Sequence, residues 1–275
     1  MSDQPATALT VKFWGTRASY PFFLPTHSRL GGDTSCVELS CAGSRLFIDA
    51  GTGLMHAEPT EGHDVILMSH FHLDHVLGLP YFLGKKKKGA LTLASAACTG
   101  HEDLLAKIDS IYGGAAFPVS LATIRPEMQL CPIGREGLAL AGWDIRCEEL
   151  NHPGTAFGYR VRHTSSRSSA VYLSDHEHGS VRDEALCALA EGAALVIWDS
   201  SYDDRSFEAF RGWGHSTWQE GVRFMEKARA ARLALSHHDP ARDDGEAAEI
   251  ETLLRGPEVF LAHDRMVLQD LPADR

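Results

Sequence analysis

Three histidines and an aspartate fall within six consecutive positions, His70-Phe71-His72-Leu73-Asp74-His75. The apolar run Val65-Ile66-Leu67-Met68 leads directly into them. Such a run reads as a buried strand, so the polar cluster begins where the strand ends. In an extended or turning segment His70 and His72 point the same way, because side chains alternate with period two. Asp74 and His75 must then face elsewhere. One metal cannot easily collect all four groups, whereas two adjacent metals can. Imidazole with carboxylate suits zinc, manganese or ferrous iron. The competing reading is a surface histidine tract, or a histidine pair capping the next helix. Four potential ligands directly after a buried strand are hard to place that way.

Three later segments repeat the motif of an apolar run followed by a ligand type: Leu150-Asn151-His152, Val171-Tyr172-Leu173-Ser174-Asp175 and Leu233-Ala234-Leu235-Ser236-His237. Together with H-x-H-x-D-H, this order resembles the metal signature of the metallo-β-lactamase superfamily. The resemblance runs from about Lys12 to His237. It implies an α/β protein folded as a four-layer αββα sandwich, with two divalent metal ions as cofactors. His70, His72 and His152 would bind the first metal, Asp74, His75 and His237 the second, and Asp175 would bridge them. The next residue after His237 is also a histidine. Aligning on the preceding strand makes His237 the ligand and leaves His238 to support it or face the phosphate. Zinc is the expected metal, with manganese or iron as alternatives.

Composition fits a soluble enzyme. The chain has 275 residues, enough for one large domain, and hydrophobic residues make up 44% of it. Its net charge of −11 argues against a long polyanionic partner. No apolar stretch approaches the roughly 18 residues needed to span a bilayer. The short polar start lacks the basic and apolar regions of a signal peptide. The six cysteines show no C-x-x-C spacing and read as reduced core residues. A cytoplasmic protein with no membrane association is therefore expected; a homodimer is left open.

Strands are expected at residues 11–14, 35–39, 45–48, 65–68, 92–94, 143–149, 157–161, 170–174, 195–200 and 233–236. Helices are expected from near His75, and at 101–111, 181–191, 217–230 and 246–255. No Pro-, Gly- or Ser-rich linker divides the two halves, so residues 1–275 read as one hydrolase domain. The run Lys85-Lys86-Lys87-Lys88 reads as a solvated loop between helix and strand. Asp49, at a strand end before Ala50-Gly51-Thr52-Gly53, is expected beneath the metals, orienting a ligand histidine.

Two segments resemble the phosphodiesterase branch of the superfamily, which holds ribonuclease Z and bacterial cyclic nucleotide phosphodiesterases. They are Phe13-Trp14-Gly15-Thr16-Arg17-Ala18-Ser19 with Gly31 to Cys36, and Gly212-Trp213-Gly214-His215-Ser216-Thr217. In that branch the histidine of a His-x-Thr element contacts the scissile phosphate, which singles out His215. Trp213 and Trp218 read as packing residues. His176 and His178 stay unassigned. The resemblance implies hydrolysis of a small phosphodiester, foremost a cyclic nucleotide, by a hydroxide shared between the metals. His215, Asp74 and Asp175 would be the catalytic residues. The alternatives are a tRNA 3′-processing endoribonuclease, a hydrolase of another bond, or a redox protein of the superfamily. The long basic tRNA-binding arm of the usual ribonuclease Z has no counterpart in this sequence.

Overall fold

The fold follows from strands that are apolar on both faces. A computed structural model describes residues 7–113, 117, 120–124, 127–269 and 271–275; residues 1–6 of the polar start lie outside it. The strands are β1 (Thr10–Gly15), β2 (Cys36–Cys41), β3 (Ser44–Ile48), β4 (Asp64–Met68), β5 (Leu91–Ser95), β6 (Gln129–Pro132), β7 (Leu138–Leu140), β8 (Trp143–Glu149), β9 (Phe157–His163), β10 (Ser169–Leu173), β11 (Leu195–Asp199), β12 (Leu233–Ser236), β13 (Val259–Leu261) and β14 (Val267–Leu268). The helices are α1 (Leu73–Val76), α2 (Leu79–Lys85), α3 (His101–Tyr112), α4 (Leu121–Ile124), α5 (Asp183–Ala190), α6 (Trp218–Ala228) and α7 (Asp244–Leu253). One sheet runs β14-β1-β2-β3-β4-β5-β6, the other β13-β12-β11-β10-β9-β8-β7. In each, four consecutive strands are parallel: β3 to β6, and β10 to β13.

Every residue of β4, β5, β10, β11 and β12 is buried. Alternation assigns each face to a different layer. Val65 and Leu67 of β4 join Tyr172 of β10 and Ile197 of β11 in a core between the sheets. Ile66 and Met68 turn the other way, against Leu79, Phe82 and Leu104 from α2 and α3. Val171, Val196 and Leu235 do the same beneath α5, α6 and α7, meeting Leu186, Phe224 and Ile250. The result is the four-layer αββα sandwich.

The structure adds β6, β7, β13 and β14 to the strands read from sequence. They have two to four residues, too few for an alternation to register. α6 starts where expected. Its N-cap Thr217 accepts the Glu220 N–H at 3.0 Å, and it ends at Arg229 in the left-handed region (φ 54°). The helix expected near His75 begins two residues earlier, at Leu73.

The lysine run departs from expectation. Lys87 and Lys88 are exposed, but Lys85 closes α2 and Lys86 is buried. Lys86 Nζ donates to the carbonyls of Thr60 (3.0 Å) and Gly62 (3.1 Å) and to Asp64 Oδ2 (2.9 Å). Arg45 Nη2 reaches Asp64 Oδ1 at 2.8 Å. A lysine whose three N–H donors all find acceptors can be buried, which sequence reading could not foresee from a charge run.

Burial alone would raise the Asp64 pKa, but hydrogen bonds from Lys86 and Arg45 overcome it and hold the carboxyl below its usual range. Replacing Asp64 with Ala strands a buried ammonium and should cost about 3–5 kcal/mol in denaturant unfolding. Because the folded pKa is depressed, this contribution is fully present above about pH 3.9 and is lost as pH falls through the folded value. The gap between wild type and Asp64→Ala should therefore be widest near neutrality and narrow below about pH 4.

Candidate metal centre

The two parallel strand sets point their C-terminal ends to one edge of the sandwich, where open α/β sheets commonly place their chemistry. Asp49 follows β3, His70 to His75 follow β4, His152 lies between β8 and β9, and Asp175 follows β10. Asp199 ends β11 and His237 follows β12. Asp49, Asp175 and His237 all adopt the left-handed region (φ 61°, 62° and 56°). For residues with a Cβ this costs on the order of 1–2 kcal/mol each. The turn it makes sends the chain away from the sheet while the side chain stays at the edge.

Two backbone segments lock α1 onto the end of β3. Ala50 N–H donates to His75 O, and Gly78 N–H to Ala50 O, both at 2.7 Å. A Cβ at Gly51 would lie 2.3 Å from Asp74 O, and one at Gly78 would lie 2.1 Å from Gly51 O. Only glycine permits this approach.

Within this frame His70, His72 and His152 form one group of donor atoms, all within 4.8 Å of one another. His152 Nε2 lies 3.1 Å from His72 Nδ1, while its Nδ1 faces Gly214 O at 3.0 Å. Asp74, His75, Asp175 and His237 form a second group on the same criterion. Asp175 faces both. Its Oδ1 is 3.9 Å from His152 Nε2, and its Oδ2 is 3.2 Å from His75 Nε2 and 3.3 Å from His237 Nε2. Asp74 Oδ2 accepts the Ser19 N–H at 2.8 Å and lies 3.3 Å from His237 Nε2. Asp49 Oδ2 meets His75 Nδ1 at 2.7 Å, which turns Nε2 toward the centre.

Sequence reading missed Asp199, although Leu195-Val196-Ile197-Trp198-Asp199 repeats the pattern of apolar run then carboxylate. Its Oδ2 holds His215 Nδ1 at 2.8 Å and His237 Nδ1 at 3.3 Å, and accepts the Asp175 N–H at 3.0 Å. Its Oδ1 accepts from Ser201 N–H (3.0 Å) and Oγ (2.8 Å). A third donor group, Asp175, Asp199, His215 and His237, arises from these contacts. The bonds from Asp199 to the Nδ1 atoms make it an orienting group rather than a further donor.

The remaining histidines sort cleanly. His238 is fully buried but turns away from the centre, with Nε2 on Ala262 O at 2.8 Å and Nδ1 near Ser200 Oγ and Arg242 Nη1. Both of its ring nitrogens are thus engaged outside the donor groups. His176 is buried between Asn151 N–H and Asp183, and His178 bonds Ser216 Oγ at 2.7 Å and stacks on Phe207. Trp218 packs beside the outer core, as expected. Trp213 is 61% exposed, so the packing role read for it does not hold.

The chemistry of this donor set fits divalent cations. Among the described residues, Asp49, Asp74, Asp175 and Asp199 are all buried, with histidines, hydroxyls and backbone N–H groups as partners rather than Lys or Arg. Buried carboxylates need nearby positive charge. Burial would lower the His237 pKa, yet Asp175 and Asp199 push it up to about 10. His75 is likewise raised well above its usual value, burial being outweighed by Asp74 and Asp175. His70 goes the other way, kept neutral by burial and by neighbouring His75. Its Nε2 is buried with no hydrogen-bond partner, and that of His75 makes no hydrogen bond although Asp74 Oδ2 and Asp175 Oδ2 both lie 3.2 Å away. Two imidazole nitrogens so placed beside shared carboxylates are what a cation would complete.

The β-lactamase superfamily domain matches residues 44–238. The chain is similar to the ribonuclease Z of Halorubrum lacusprofundi, 25% identical over 84% of this chain and 86% of that protein. The metallo-β-lactamase fold protein YhfI of Bacillus subtilis superimposes with a TM-score of 0.71 at 16% identity, covering 96% of this chain and all of that one (100%). The short form of human tRNase Z does so with a TM-score of 0.66 at 25% identity, covering 96% and 99%. The chain belongs to the β-lactamase superfamily. It is a metal-dependent hydrolase.

His237 and His238 can be told apart by substitution. His237→Ala should lower bound-metal content by elemental analysis. His238→Ala should leave that content intact and cost about 1–3 kcal/mol in unfolding, as a buried hydrogen-bonded group is lost. The reverse pattern would exchange their roles.

Proposed function

We propose that this hydrolase, acting as one domain over residues 1–275, cleaves a small phosphodiester, foremost a cyclic nucleotide, with two divalent cations. His70, His72 and His152 would hold one cation and Asp74, His75 and His237 the other, with Asp175 shared. Zinc suits these donors, and manganese or iron can use the same set. Such cations, when bound, make water more acidic and offset charge on phosphoryl oxygens.

The chain's own groups do the rest. Asp49 and Gly214 O hold the Nδ1 atoms of His75 and His152, keeping each Nε2 aimed inward. Asp74, fixed by the Ser19 N–H, and Asp175 orient the attacking water. His215 is the proton donor to the departing oxygen. Burial lowers its pKa, but Asp199 more than offsets this and holds it above the usual value, which favours the proton-bearing form of the ring. With Nδ1 engaged by Asp199, the other nitrogen is left for substrate, and the side chain is 13% exposed.

The observation that carries this reading is the Asp199–His215 pair beside the two donor groups. A phosphodiester requires both charge neutralisation and protonation of a leaving oxygen, and the pair supplies the second. One feature supports a small substrate. Between His152 and Asp175 the chain is filled by β9, a short turn and β10, both strands paired into the sheet. The concavity beside His70 and His72 holds about 220 Å³ and is not lined by Asp175, His215 or His237, so its volume does not measure the substrate space. Larger concavities of about 640–660 Å³ flank α6 and contain none of these groups, so size is a poor guide here.

A second reading is tRNA 3′ processing, favoured by the relative named ribonuclease Z. Metal-loaded protein offered cyclic mononucleotides, 2′,3′-cyclic phosphates, cyclic dinucleotides and a pre-tRNA separates the two. Cleavage of pre-tRNA alone would overturn the small-substrate reading. All six thiols are free, which supports residence in the cytoplasm. Among the described residues no helix is long and apolar enough to cross a membrane.

His215→Ala should lower turnover on a phosphodiester by roughly a hundredfold or more, with metal content unchanged. The loss should shrink for a nitrophenyl ester, whose leaving group needs no proton. An equal loss on both substrates would assign His215 to charge stabilisation. Unchanged kinetics would remove it from the mechanism.

A further inference from the structure

The segment leading into α6 carries a large aromatic side chain outward and keeps it there. Trp213 is 61% exposed and lies between Gly212 and Gly214, both in the left-handed region (φ 89° and 86°). Glu177, only 7% exposed, accepts the N–H of Gly212 at 2.6 Å and that of Gly214 at 3.0 Å. One buried carboxylate thus pins the backbone on both sides of the tryptophan. Phe210 packs edge-on against the indole at 5.5 Å, and stacks in turn on Tyr202 at 4.4 Å. Scattered exposed apolar residues need no explanation. An indole fixed at both flanks, backed by a second ring and still open to water is a different case.

Its position ties it to the centre. A Cβ at Gly214 would lie 2.1 Å from His152 Nδ1, so this backbone rests against the first donor group. His215 is two residues on from Trp213, and two residues span at most about 7 Å. That is of the same order as the reach from phosphorus to base within one nucleotide. An exposed ring held on the segment that carries His215 suits a planar partner. Stacking of a base on an aromatic side chain contributes about 1–3 kcal/mol and tolerates any base.

We infer that Trp213 is the stacking wall of a subsite for a planar heteroaromatic ring, the base of a nucleoside esterified to the reacting phosphate; this rests on the phosphodiesterase reading above. The substrate class narrows accordingly to phosphodiesters carrying a nucleoside beside the scissile bond. Trp213 would act on specificity, through binding, rather than on the chemical step.

Two esters with the same leaving group provide the test: thymidine 5′-(p-nitrophenyl phosphate) and ethyl p-nitrophenyl phosphate. Trp213→Ala in the metal-loaded protein should lower the ratio of kcat/KM for the nucleoside ester over the ethyl ester by roughly tenfold, mostly through KM. Trp213→Phe should restore most of the ratio, since a smaller ring still stacks. A ratio unchanged in Trp213→Ala overturns the proposal, even if both activities fall together. Tryptophan fluorescence decides the matter should wild type cleave neither ester. AMP should then quench more than ribose 5-phosphate does, and the difference should vanish in Trp213→Phe. That result would keep the subsite while the phosphodiesterase reading fails. Equal response to AMP and ribose 5-phosphate would overturn the subsite itself.

Discussion

The carboxylate of Asp175 faces two groups of imidazoles at once, and the rest of the centre is arranged around that fact. One oxygen looks toward His152, the other toward His75 and His237. With Asp49, Asp74 and Asp199 it forms a buried acidic cluster, and the desolvation of each ion costs several kcal/mol if left unpaired. Imidazolium can supply part of the balancing charge, as the raised His75 and His237 pKa values indicate. Divalent cations supply it more fully, and the donor groups on either side of Asp175 suit them. The cluster depends on positive charge placed beside it.

Such a cluster needs a rigid support, because donors displaced by about half an ångström no longer share a cation. The two sheets provide it. Each donor sits within a few residues of a buried strand, so its backbone moves only if the core moves. The left-handed residues at Asp49, Asp175 and His237 are the local cost of that arrangement. Glycines at 51 and 78 let α1 lie directly on the loop after β3, which sets Asp74 and His75 against Asp49. The layers therefore act on the chemistry through geometry, by fixing where six separate segments of chain come together.

Much of this was legible in the sequence for a definite reason. Buried strands show as unbroken apolar runs, and ligand types directly after them are conspicuous. His70, His72, Asp74, His75, Asp175 and His237 follow such runs, whereas His152 follows β8, which alternates between buried and less buried residues; the structure brings all seven to one edge. Asp199 is less conspicuous, because it is the last residue of β11 and not the first after it. What pattern cannot give is direction. His237 and His238 are adjacent, yet one faces the centre and the other faces Ala262 O, a difference set by the left-handed turn at His237. Lys86 and Trp213 were misread for a related cause. Composition makes a lysine run look solvated and a tryptophan look buried, while the acceptors around Asp64 and the clamp at Glu177 reverse both. The short edge strands escaped because two to four residues carry no period.

The central claim is that Asp175 joins two cations into one centre. Titrating metal-free protein with manganese while recording electron paramagnetic resonance tests it most directly. The account predicts two equivalents bound per chain, with the second giving an exchange-coupled spectrum that Asp175→Ala abolishes. Binding of a single equivalent, or of two that remain magnetically independent in the wild-type protein, would contradict it.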